Sequence, residues 1–209
     1  MAPMPSFAIS EDHRELVQYY KNILNAPDND TATRWRNQFT CALSRHLMAE
    51  EVVVYPVLEK RLGHRWKIIT VEDQAVHRTV YVDAEVRYEQ TQEKLNALQS
   101  MEVNATDFIV SLESLINDVA QYFMDVEMAD LPSLDRVLTS RESKSLAYSF
   151  TRTKMTVPSR SPLLASNKQT AAGILNWMAA PVDYLSNLFR KFPDERTLGN
   201  YEERSAGVN

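Results

Sequence analysis

Residues 39–56, FTCALSRHLMAEEVVVYP, decide the fold. As a helix they set Phe39, Leu43, Leu47, Val53, Val54 and the following Val57 on one apolar stripe, and His46 and Glu50 fall on the same stripe. Burying a carboxylate is costly unless it is paired, hydrogen-bonded or bound to a metal, so Glu50 requires a partner. A spacing of four places His46 one turn away and pointing the same way, so a single helix offers a nitrogen and an oxygen to one point inside a bundle. Taken alone, the pair reads as a buried ion pair. Three features elsewhere in the chain point instead to a metal site.

Upstream, Ser10 is expected to cap helix A. Its first turn holds Glu11 and Asp12, acids that complement the helix dipole, and its inner stripe reads His13, Leu16, Val17, Tyr20, Ile23, Leu24. A loop from Asn25 to Thr33 leads into helix B, from about Ala32 to about Leu62, which bends or ends at Pro56, with Gly63 as its stop. Downstream, His64 lies in a connector beside Arg65 and Trp66 and is read as solvated. Helix C is expected from about Thr70 to about Met101, with Asp73, Val76, His77, Val80, Ala84, Leu95 and Leu98 on or near one face. Helix D takes Phe108, Leu112, Leu115, Ile116, Val119, Tyr122, Phe123 and Val126 as its stripe and ends before Pro132.

Four long amphipathic helices with short connectors, and no competing β pattern, give an all-α, up-down four-helix bundle over residues 1–138. Residues 139–209 read as a C-terminal helical extension. Thr139 and Glu142 have the spacing of a capping box for a helix over SRESKSLAYSFTRTK; a loop follows, and a last helical pair, Thr170–Ala179 and Val182–Phe192, is broken at Pro181. This extension is expected to lie on the bundle as a strap, with a mobile tail after Pro193. Its apolar stripe, Ile174 to Phe192, folds back on the bundle or pairs with a second copy in a homodimer.

Composition narrows the function. Four glycines in 209 residues, with 44% hydrophobic and 24% charged residues, exclude disordered and collagen-like classes. A net charge of −5 leaves no basic footprint, so nucleic acid is excluded as a main partner. Cys41 is the only cysteine, which rules out an intrachain disulfide and a thiolate cluster, and it reads as a packing residue. The N-terminus MAPMPSFAIS lacks a basic start and an apolar run, and no stretch approaches a membrane span, so a soluble cytoplasmic protein is expected. Trp35, Trp66 and Trp177 read as packing anchors, and Arg152, Lys154 and Arg160 as a modest basic patch, solvated or paired with the acidic bundle.

Three of the four histidines, one on each of helices A, B and C, sit on faces that converge in the core, and two of them have a carboxylate one turn away. His13, His46, Glu50, Asp73 and His77 make a nitrogen-and-oxygen donor set suited to iron or manganese. The segments EDHRELVQYY, RWRNQFTCALSRHLMAEEVVVYPVLEKRLG, DQAVH, ADLPSL and KMTVPSR stand in the order found in hemerythrin-like (HHE cation-binding) domain proteins of the fungal type, which this chain resembles from about Ser10 to Phe192. The resemblance implies metal ligands at His13, His46, Glu50 and His77, and a histidine followed four or five residues later by a carboxylate on helix D. There the chain departs: counting back from DLP, Tyr122 stands at the histidine position and Val126 at the carboxylate position, with Glu127 at the alternative spacing of five. On an α-helix Glu127 is turned by about 100° from Val126. Asp73, Tyr122 or Glu127 are the candidates to complete a second ion.

Three functions are compatible with this pattern. The first is one or two irons in a partly degraded site, used for oxygen or redox chemistry, or small-molecule chemistry, rather than oxygen carriage. The second is a metal-free cyclase or isomerase of secondary metabolism. Its pocket would take a small hydrophobic molecule, with His46, Glu50 and His77 as acid–base groups, Tyr122 as donor, and Phe123, Tyr20, Met48 and Met124 in the lining. The third is a metal-binding or sensing module without turnover.

Overall fold

A computed structural model describes residues 4–62, 90–157, 190–194 and 197, and its regular elements are all helical. Helix α1 spans Pro5–Leu24, α2 Asn29–Ala49, α3 Tyr55–Leu62, α4 residues 90–100, α5 Phe108–Asp125, α6 Leu131–Val137 and α7 Ser140–Thr156. Two π-helical segments join successive helices without a break: Glu50–Val54 between α2 and α3, and Val126–Asp130 between α5 and α6. None of the described helices is long and apolar enough to cross a membrane.

The helix starts follow local chemistry. Pro5, with its fixed φ and no N–H to satisfy, opens α1, so the helix begins five residues before Ser10, the expected cap. Asp28 caps α2 by accepting from the Thr31 N–H at 2.8 Å. Thr139 and Glu142 form the reciprocal capping box that starts α7.

Pro56 and Pro132 each stand two residues after the end of a π segment, and this explains both segments. A proline inside an α-helix lacks an N–H, and its ring collides with the carbonyl four residues back, here Val52 or Met128. Widening the turn relieves that collision: the Tyr55 N–H reaches back to the Glu50 carbonyl and the Leu131 N–H to that of Val126, each five residues away. The fourth helix therefore runs through Pro132 instead of ending before it, and the second helix does the same at Pro56.

Helices α1 and α2 run antiparallel, because Tyr19 packs on Trp35 while His13 packs on His46. Arg36 on α2 crosses to the end of α4 and donates to the carbonyls of Leu98, Gln99 and Met101, groups that a helix end leaves without partners. Lys94 on α4 pairs with Asp118 on α5 at 2.5 Å. The core falls into two apolar clusters. One gathers Leu16, Phe39, Leu43, Leu95, Leu112 and Leu115 with their neighbours; the other gathers Ile9, Val54, Leu58, Val126, Leu131, Leu134 and Phe150. Phe150 belongs to α7, which packs on α1, α2 and the first π segment. At the far end of the chain, Lys191 and Phe192 offer their carbonyls to Asn37 and Arg34 of α2. These residues and Arg190 are not helical, contrary to the expectation of a helix through Phe192, and the rest of that expected helical pair lies outside the described residues.

Candidate metal centre

Between the two apolar clusters lies a polar layer. Asp12 and His13 enter it from α1, His46 from α2, Glu50 from the first π segment, and Tyr122 from α5. His46 and Glu50 are completely shielded from solvent and His13 almost so. The His13 ring stacks on Phe123 at 3.7 Å between centroids and meets His46 edge-on at 4.8 Å. Apolar rings thus fix both imidazoles in place.

Each imidazole is oriented by a carboxylate. His46 Nδ1–H donates to Asp12 Oδ2 at 2.6 Å, and His13 Nδ1–H donates to Glu127 Oε1 at 2.6 Å. Committing both Nδ1 atoms outward turns both Nε2 atoms inward, the arrangement that metal-binding histidines adopt. Glu50 meets them there: Oε2 lies 3.3 Å from His46 Nε2, and Oε1 lies 3.9 Å from His13 Nε2. Tyr122 O–H donates to Glu50 Oε2 at 2.5 Å and Tyr55 O–H to the same oxygen at 3.2 Å, while the two hydroxyls also touch each other.

The charges are strongly coupled. Burial pushes His46 down, but the carboxylates of Glu50 and Asp12 outweigh it and hold the imidazole up at about 9. Burial pushes Glu50 up, and the two histidines overcome it and bring it to about 2. Asp12 stays below the usual carboxylate range despite its burial, because it faces His46 and Lys154. Burial and the Glu50 charge together push the Tyr122 phenol well above its ordinary value.

One observation tests whether these residues fit a cation. His13 Nε2, His46 Nε2 and Glu50 Oε1 are buried and make no hydrogen bond, an expensive state for three polar atoms. Donor atoms of the same three residues lie within 4.8 Å of one another. Two imidazole nitrogens and one carboxylate oxygen, all aimed at one point, become a donor set for a first-row transition metal once the metal displaces the His46 proton.

The family profile described as the hemerythrin HHE cation binding domain matches residues 4–134. The chain belongs to this family. An uncharacterized hemerythrin-like protein of Schizosaccharomyces pombe is 39% identical over 188 residues, 90% of this chain and 87% of the relative. No solved structure matches the chain.

Within this hemerythrin-like bundle, His13, His46 and Glu50 come together, and Tyr122 bonds to Glu50. Glu127 reaches the site from its edge, offset from the buried Val126. Its oxygen sits on His13 Nδ1, on the outer side of that imidazole, and its side chain is 40% exposed. His77 and Asp73 lie outside the described residues, as do His64, Trp66, Trp177 and Arg160. Met124, expected in a pocket lining, is exposed on the outer face of α5. Cys41 and Trp35 are buried packing residues.

Four residues of the site escaped the sequence reading: Asp12, Tyr55, Phe150 and Lys154. Asp12 carried a usable signal. It lies three residues after Ile9 and four before Leu16, both fully or almost fully buried, so it belongs to the inner stripe and is not merely a dipole-complementing acid.

Proposed function

We propose that this chain binds iron through His13, His46 and Glu50 and uses it in oxygen or redox chemistry, not in reversible oxygen carriage. The observation that carries the reading is the convergence of three buried donor atoms that have no hydrogen bond. His77, the third-helix histidine of the family pattern, is the further imidazole we assign to the same ion. Iron, when bound, supplies one-electron chemistry and open positions for dioxygen or a small organic molecule.

The chain's own residues restrict the site. Asp12 and Glu127 hold the two imidazoles with Nε2 inward, and Phe123 and Phe150 keep water from their faces. Tyr122 and Tyr55 place two hydroxyl protons on Glu50, where they stabilise its negative charge. A second ion has little to hold it on α5. Tyr122 stands at the position of an imidazole, Val126 at that of a carboxylate, and Glu127 is engaged by His13. That asymmetry separates the chain from a two-iron oxygen carrier. A metal-free acid–base pocket is the weaker reading, because it leaves three buried donor atoms without a hydrogen bond.

The test is metal analysis of protein purified without chelator, beside a His46→Ala/Glu50→Ala variant. About one iron per chain, lost in the variant, is the expected result. Absence of iron after anaerobic loading with ferrous iron overturns the reading.

A further inference from the structure

Helix α7 lies beyond the family match, which ends at residue 134, yet it reaches the site. Two of its side chains do so. The Phe150 ring meets His46 edge-on at 5.7 Å between centroids, and Lys154, one turn further along, pairs with Asp12 Oδ1 while its ammonium lies 5.7 Å from the Phe150 ring. Asp12 is only 6% exposed and has both oxygens engaged: Oδ1 by Lys154 and Oδ2 by His46 Nδ1. A continuous line therefore runs from a partly exposed ammonium through a buried carboxylate to the imidazole whose Nε2 faces the candidate metal.

From this geometry we infer that Lys154 is a positioning residue that sets the reduction potential of the metal centre, so that α7 is part of the site and not only a cover. The inference rests on the iron reading given above. The carboxylate behind a ligand histidine makes the imidazole a stronger donor, and stronger donation favours the more highly charged ferric ion. Lys154 opposes this by balancing the Asp12 charge. Its own positive charge, held near the site in a medium of low dielectric, acts in the same direction. Both effects raise the potential and favour ferrous iron.

The position of Lys154 also has a structural anchor. The capping box at Thr139 fixes the start of α7, and Arg61 of α3 pairs with Glu142 within that first turn. With its start tied to the bundle, α7 presents Phe150 and Lys154 in a fixed register against α1 and α2. A surface ion pair of the usual kind contributes little. This one differs because its acidic partner is buried and bonded to a candidate ligand.

The experiment uses the full-length protein loaded anaerobically with ferrous iron. Its potential is measured by a mediated redox titration that follows the ferric signal by electron paramagnetic resonance. Lys154→Met is expected to favour the ferric form by at least about tenfold, a fall of roughly 59 mV for one electron. Lys154→Arg, which keeps the charge, is expected to stay near wild type. Lys154→Gln keeps a donor for Asp12 without the charge, and should follow Lys154→Met even if the methionine variant folds poorly. Wild-type protein that holds iron, with uncharged variants at the wild-type potential or the arginine variant shifted as far as they are, overturns this inference alone. Wild-type protein that holds no iron overturns the inference together with the iron reading.

Discussion

The two π segments are made by the same backbone device and do different work. Each ends two residues before a proline, and each turns its first position into the core: Glu50 is fully buried in one and Val126 is 5% exposed in the other. In the first segment that inward position carries the carboxylate that faces both histidines. In the second it carries a valine, and the carboxylate has moved one residue on to Glu127, where it holds the outer nitrogen of His13. A π turn therefore supplies the reach, and the residue at its first position decides whether that reach ends in a candidate metal ligand or in a packing contact.

The largest effect should come from making the first segment resemble the second. Glu50→Val removes the carboxylate that His46 and His13 face. Iron content should fall to background, and the metal-free protein should lose roughly 3–5 kcal/mol in denaturant unfolding, the usual cost of breaking a buried ion pair. Retained iron in this variant would mean that the first segment is not the ligand-bearing one.

The reverse change sharpens the comparison. Tyr122→His/Val126→Glu restores an imidazole and an inward carboxylate on α5, and iron analysis should rise from about one to about two ions per chain. A stoichiometry that stays at one would show that something other than these two positions limits the site.

The metal and the proton compete for His46, so pH separates the loaded and empty states. With His46 held up at about 9, ferrous affinity should rise with pH by about tenfold per unit up to about pH 9 and then level off. The metal-free protein behaves oppositely at the alkaline end. The raised His46 value contributes stability that is fully present below its ordinary 6.5 and lost as pH rises through about 9. The lowered Glu50 value contributes stability present above its ordinary 4.5 and lost as pH falls through about 2. Denaturant unfolding of metal-free protein between pH 5 and pH 10 checks the sign.

The smallest effect belongs to the second segment as it stands. Glu127→Ala leaves His13 Nδ1 without its acceptor, and iron affinity should fall by about tenfold, the low end for losing a partner behind a ligand histidine, because Glu127 is partly exposed. Isothermal titration with ferrous iron measures it.

Much of this was legible in the chain. Stripes at steps of three and four identified the helices that are described, and the spacing of His46 and Glu50 on an apolar face identified the core of the site, because a buried acid beside a histidine is costly unless something compensates it. The π segments were hidden because periodicity was read at 3.6 residues per turn throughout. Proline in a long helical pattern suggested an end or a bend, whereas here the turn widens and the helix continues. Lys154 was hidden for another reason: on its own helix it is one of several basic residues, and only the docking of α7 brings it to a buried carboxylate contributed from residue 12.

The polar layer separates two apolar clusters, and this has a mechanical consequence. Each cluster coheres by its own packing, and the layer between them, where Tyr122 packs against both, joins them chiefly through buried ion pairs and hydrogen bonds. A cation held by donors from α1, α2 and the first π segment would act there as a rivet, and the strength of the joint would then depend on how much free metal surrounds the protein. At a hundred times the dissociation constant it amounts to about 2.7 kcal/mol.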